Sequence, residues 1–102
     1  MKLMTAELEK KFPLLYSTEN KPQNEVYVIA RFFDPCGSWT WFATEYDPID
    51  KMFFGLVHGH EAEMGYFSLE QLEAYEGPFG LGIERDLHFG KHTLAEVLAE
   101  DA

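Results

Sequence analysis

Four stretches in the middle of the chain are apolar for most of their length and dense in β-branched and aromatic residues: Glu25 to Phe33, Ser38 to Tyr46, Lys51 to His58 and Glu61 to Phe67. They predict four β-strands. Asp34-Pro35-Cys36-Gly37 and Asp47-Pro48-Ile49-Asp50 separate the first three, and Asp-Pro favours a type I turn; His58-Gly59-His60 makes the third connection. Gaps this short join antiparallel neighbours, so the pattern predicts an antiparallel four-stranded meander.

Helical signals are confined to three short stretches. Thr5 is placed to cap a helix through Lys11 or Phe12, and Pro13 stops it. Ser68 with Gln71 forms a capping box and Phe67 with Leu72 a hydrophobic staple, opening a helix that Gly77-Pro78 ends. Thr93 and Glu96 form a second capping box before a last helix with Leu94, Val97 and Leu98 on one face. Glu100, Asp101 and the terminal carboxylate stand where that helix's dipole prefers cations, which predicts fraying or a partner there. Tyr16 to Asn24 reads as loop, and Phe79 to Phe89 as glycine-punctuated and partly extended. The expected fold is α+β, one domain over residues 1–102, with short helices mainly on one face of the sheet.

Strand alternation sends Trp39 and Trp41 one way and Phe42 and Tyr46 the other, and Phe53 sits next to Phe54, so both sheet faces are apolar. Three short helices cover one face of such a sheet but hardly two. The surplus is either covered by the loops Phe12 to Asn24 and Phe79 to Phe89 or left as a partner or dimer surface. At 46% apolar and 16% aromatic residues, the composition suffices for one core.

Charge sharpens this picture. The net charge is −10, and it is localised. From His60 onward Glu61, Glu63, Glu70, Glu73, Glu76, Glu84, Asp86, Glu96, Glu100 and Asp101 face only Arg85 and Lys91, a net of −8. Such a field repels nucleic acid and anionic membranes and attracts basic surfaces. Glu70, Glu73 and Glu76 form a row beside the apolar row Leu69, Leu72, Tyr75, with successive carboxylates about 4.5 Å apart along the helix axis. That helix contains no cation for i,i+4 support, so helix stability does not explain the row.

Five segments together resemble a family of small bacterial proteins known as domain-of-unknown-function family 2958. They are Leu14-Leu15-Tyr16-Ser17-Thr18-Glu19, Ser38-Trp39-Thr40-Trp41-Phe42-Ala43-Thr44-Glu45, Phe53-Phe54-Gly55-Leu56-Val57, Gly65-Tyr66-Phe67-Ser68-Leu69 and Gly80-Leu81-Gly82-Ile83-Glu84-Arg85-Asp86-Leu87. The resemblance spans essentially the whole chain. It implies a setting on plasmids, integrative elements and phages, and it supplies no reaction and no assigned site.

Candidate chemistry adds little. His58, His60 and Glu61 are half a zinc set in a turn, and Gly90 interrupts any helix that would align His88 with His92, so no metal is expected. Cys36 has no neighbouring cation to make it a reactive thiolate. Gly77-Pro78-Phe79-Gly80-Leu81-Gly82 lacks the Lys-Ser/Thr ending of a phosphate loop. Arg85 is expected to pair with an acidic neighbour. No catalytic pair, nucleophile or cofactor site is readable. The lone cysteine, the lack of a basic-then-apolar leader and the lack of an apolar run of about eighteen residues point to a cytoplasmic protein.

The leading expectation is a non-enzymatic acidic accessory protein of a mobile genetic element that binds a basic, nucleic-acid-handling protein. Mimicry of DNA to block a restriction or CRISPR defence would use the same field. Glu61, Glu63, Glu70, Glu73 and Glu76 are the expected contact residues, with Trp39 and Trp41. An adaptor or homodimer using the aromatic sheet face is the alternative, and a small enzyme the third reading.

Overall fold

The computed structural model describes residues 2–101. Among the described residues seven strands form, β1 (Tyr27–Val28), β2 (Ala30–Phe33), β3 (Thr40–Asp47), β4 (Met52–His58), β5 (Ala62–Ser68), β6 (Glu84–Arg85) and β7 (His92–Thr93), with helices α1 (Ala6–Glu9), α2 (Leu69–Ala74) and α3 (Leu94–Asp101). The main sheet is antiparallel and five-stranded in the order β5-β4-β3-β2-β6, and β1 pairs with β7 in a small second sheet. The chain is thus α+β with the expected meander at its centre. The strand count differs because the glycine-punctuated segment adds β6 to the outer side of β2, through Phe32↔Arg85 and Phe33↔Glu84. The first predicted strand also divides at Ile29. Its amide still donates to Ala43 O at 2.8 Å, while Tyr27 and Val28 turn away to pair with Thr93 and His92.

A β-bulge at Thr44 corrects the expected side-chain alternation. Ala43 lies opposite Gly55 and Glu45 opposite Phe54, so Thr44 is an extra residue on β3. Tyr46 is thereby returned to the face of Trp41, and Glu45 replaces it beside Phe42. Thr44 is buried, and its hydroxyl donates to Phe54 O at 3.1 Å. Gly55 is the residue that lets β4 lie against this bulge, since a Cβ there would stand 1.9 Å from Phe42 O.

The Trp41 face carries the larger core, centred on fully buried Phe53, whose ring lies 4.7–5.5 Å from those of Tyr46, Phe32, Phe67 and Phe12. Leu8 of α1 and Leu69 and Leu72 of α2 pack there. Thr5 caps α1 by accepting from Leu8 N, and Ser68 caps α2 by accepting from Gln71 N. The opposite face is covered by α3, whose Leu94 and Val97 meet Phe42 and Leu56. The helices therefore divide between both faces, because the Thr93–Glu96 capping box forms at the end of β7 and β7 runs on the Phe42 side. The terminal carboxylate and the side chain of Asp101, invoked for fraying of α3, lie outside the described residues.

One polar group organises the rest of that second face. Glu45 is 3% exposed, and its carboxylate accepts from Tyr16 N at 2.8 Å, Thr18 N at 3.0 Å and the Thr18 hydroxyl. The loop from Leu14 to Glu19 is thereby fixed over the sheet, with Tyr16 at φ +70° and its ring against that of Tyr66.

Candidate partner-binding site

Trp39 and Trp41 stand side by side on the larger-core face, ring centroids 6.0 Å apart. Trp41 is half-buried against the core, whereas Trp39, just before β3, is 37% exposed. Trp39 lies over the β4–β5 turn, where a Cβ on Gly59 would meet its ring at 2.5 Å, and His60 meets the ring edge-on at 5.7 Å. The glycine is what lets the indole lie flat on the turn.

Two hollows meet at this indole. One, of about 300 Å³, is walled by Val57, His60, Glu61 and Glu63. The other, of about 360 Å³, runs from both tryptophans to Asp34, Gln71, Leu72 and Tyr75. Tyr75 Oη donates to Asp34 Oδ2 at 3.3 Å, and the same carboxylate accepts from Cys36 N at 3.0 Å. The Asp34 carboxylate is also the leading cause that raises the Tyr75 phenol above its usual value of 10.0. The result is an aromatic floor with carboxylates at both ends. Chemically this suits a cation with an apolar stem, because indole faces attract guanidinium and ammonium groups and the carboxylates supply the charge partner.

The chain matches the family described as Protein of unknown function (DUF2958) over residues 3–102. It belongs to that family. No curated protein and no solved structure matches it.

The expected contact residues of this DUF2958 chain fall into two groups. Trp39, Glu61 and Glu63 share one hollow, and Trp41 adjoins it. Glu70, Glu73 and Glu76 line neither hollow and do not form the expected row. α2 ends at Ala74, Tyr75 takes an extended ψ of 131° that carries its ring toward Asp34, and Glu76 follows outside the helix. The cause lies downstream, where Gly77 N bonds Leu81 O and Pro78 opens a separate turn. Glu73 has a structural partner, accepting from the amide of fully buried Leu3 at 3.1 Å. The acidic field also recruits Glu9 from the first half of the chain. The Tyr46 phenol is raised by burial first and then by Glu9, Glu73, Asp47 and Glu70, so carboxylates of α1 and α2 act on the same side of the sheet.

The two histidines weighed as half a metal set stand apart. His58 lies opposite Thr40 on the α3 face and His60 against Trp39, and among the described residues no three His, Cys, Asp or Glu side chains form a metal-ligand set. Asp86 pairs with Arg31 at 3.3 Å, bridging β2 to the segment after β6. Among the described residues no helix is long and apolar enough to cross a membrane.

Asp34, His60 and Tyr75 complete this face and are not among the site residues the sequence suggests. Tyr75 belongs to the apolar row with Leu69 and Leu72, which was a usable signal. Phe79 is 96% exposed with φ +62°, on a turn whose Pro78 O lies 3.9 Å from Cys36 Sγ. That conformation belongs to the turn over residues 77–80, which Gly80 N closes on Gly77 O at 3.2 Å.

Proposed function

We propose that this domain is a non-enzymatic, acidic binding module, an accessory protein of a mobile genetic element acting in the cytoplasm, and that its partner is a basic, nucleic-acid-handling protein. The observation that carries the reading is the position of Trp39, exposed between two hollows with Glu61 and Glu63 on one side and Asp34 on the other. Arginine or lysine side chains of the partner lay their stems on the indoles and bring their charges to these carboxylates. The net −10 charge draws the partner in from a distance, and the aromatic floor provides the short-range contact. Without a regular row on α2, competition with DNA rests on the field as a whole and on occupation of the partner's basic surface.

The test is affinity capture at low salt from the native host, comparing the wild type with a Trp39→Ala, Glu61→Gln, Glu63→Gln variant. The reading expects a basic nucleic-acid-binding protein that the wild type retains, that the variant loses and that added duplex DNA displaces. Equal retention by both, or retention indifferent to DNA, contradicts it.

A further inference from the structure

β5 is the outermost strand on one side of the main sheet, and at seven residues it is long for an open edge. Hydrogen bonds at its two ends fix which backbone groups look outward. Leu69 N donates to Lys51 O at 3.0 Å and Gly59 N to Glu61 O at 3.1 Å, and the pairing runs unbroken from His58↔Ala62 to Met52↔Ser68. The odd-numbered residues therefore exchange bonds with β4. Ala62, Met64 and Tyr66 turn their N–H and C=O groups away from the sheet. Among the described residues no strand pairs with that side.

The two faces beside this edge differ in chemistry. Met64 and Tyr66, 41% and 53% exposed, lie on the α3 face. Glu63 and Gly65 lie on the Trp39 face; Glu63 walls the hollow beside the indole, and nothing stands within 4 Å of a Cβ built on Gly65. Natural sheets commonly protect an edge with lysine, proline or a bulge, and β5 has none of these.

We propose that β5 accepts an extended segment of the basic partner as an additional strand of the sheet. This rests on the acidic binding role proposed above and assigns its mode of engagement. Ladder bonds form to Ala62, Met64 and Tyr66, and the incoming strand alternates in character. Its residues opposite Met64 and Tyr66 are apolar, and those opposite Glu63 and Gly65 are basic, reaching over the open space at Gly65 toward Glu63, Glu61 and Trp39. A second copy of β5 would add its own Glu61 and Glu63 to the same edge, so charge favours a basic strand over self-pairing.

The probe is a capped hexapeptide alternating valine and arginine, with a block peptide of the same composition (three arginines, then three valines) as the control. Fluorescence of the Trp39–Trp41 pair reports occupancy, and amide exchange by NMR reports the ladder. At saturation the alternating peptide slows exchange at Ala62, Met64 and Tyr66 by about tenfold or more and leaves Glu63, Gly65 and Phe67 unchanged, while the block peptide does not. Glu63→Lys weakens the alternating peptide by about tenfold or more and improves a valine–glutamate peptide. Saturation of the tryptophan signal without protection of those three amides overturns strand addition and leaves the groove reading standing. Equal protection by the block peptide, or no binding of either peptide at millimolar concentration, also overturns it.

Discussion

Replacing Glu45 with glutamine keeps shape and volume and removes one acceptor from a site that uses both carboxylate oxygens. In the wild type Oε1 takes the Tyr16 amide, and Oε2 takes the Thr18 amide and hydroxyl. Glutamine does best by turning its carbonyl to Thr18, which sets its NH₂ group against the Tyr16 N–H, donor facing donor. A hydrogen bond to a charged group contributes about 1.5–3 kcal/mol, and a buried donor left without an acceptor costs about 1–3 kcal/mol. The two bonds retained at Thr18 also lose their charge assistance. Because these terms overlap, the expected loss is about 2–4 kcal/mol. At about 4–8 °C per kcal/mol for a domain near this size, the melting temperature falls by roughly 8–32 °C. Denaturant unfolding measures the loss, and amide exchange at Tyr16 and Thr18 locates it. Exposed Glu19→Gln is the control and should change stability by less than about 0.5 kcal/mol. A Glu45→Gln loss below about 1 kcal/mol would show that the loop holds its position over the sheet without this carboxylate.

Gly55→Ala should cost about 3 kcal/mol or more by denaturant unfolding, because the atom it meets is backbone, whereas Gly65→Ala, with open space around its Cβ, should stay within about 0.5 kcal/mol. Glu73→Ala should cost about 1–2 kcal/mol and speed amide exchange at Leu3, while exposed Glu70→Ala should do neither; equal effects would deny the Glu73–Leu3 bond a structural role. Tyr46 contributes to the loss of stability in alkali. Its phenol is held above 10.0 in the fold, by burial first, so its contribution is present in full below pH 10.0 and is lost as pH rises beyond that value. Stability of Tyr46→Phe should therefore fall less steeply with alkali than that of the wild type.

The middle strands were legible because each carries its own signal, a dense aromatic run closed by Asp-Pro or by His-Gly-His. Both capping serine and threonine positions were legible for the same reason, since Ser68 and Thr93 bond within their own first turns. What could not be read depended on partners far along the chain. The bulge at Thr44 is invisible in an alternating run until β4 brings Gly55 against it, and it moves Tyr46 to the opposite face. β6 has two residues and exists because β2 offers an open edge. Glu45 looked like one more acid, yet its bonding partners lie 27 and 29 positions away. At the site, Trp39, Glu61 and Glu63 were legible as residue types, and their meeting follows from the β3–β4–β5 register. The expected carboxylate row failed through a local cause, the departure of Tyr75 from helical geometry.

Docking of a basic partner on the Trp39 face is checked by photo-crosslinking in the host from a benzophenone amino acid at positions that leave Trp39, Glu61 and Glu63 in place. His60 and Gln71, exposed and lining the two hollows, sample the proposed face, and Leu87, exposed beyond β6 at the opposite edge of the sheet, is the reference. The expected result is one basic, nucleic-acid-handling protein crosslinked from positions 60 and 71, lost when Trp39 is alanine and weakened as salt shortens the Debye length below about 8 Å. A crosslink from position 87 instead, or one from 60 and 71 that survives Trp39→Ala and added salt, would refute docking on this face.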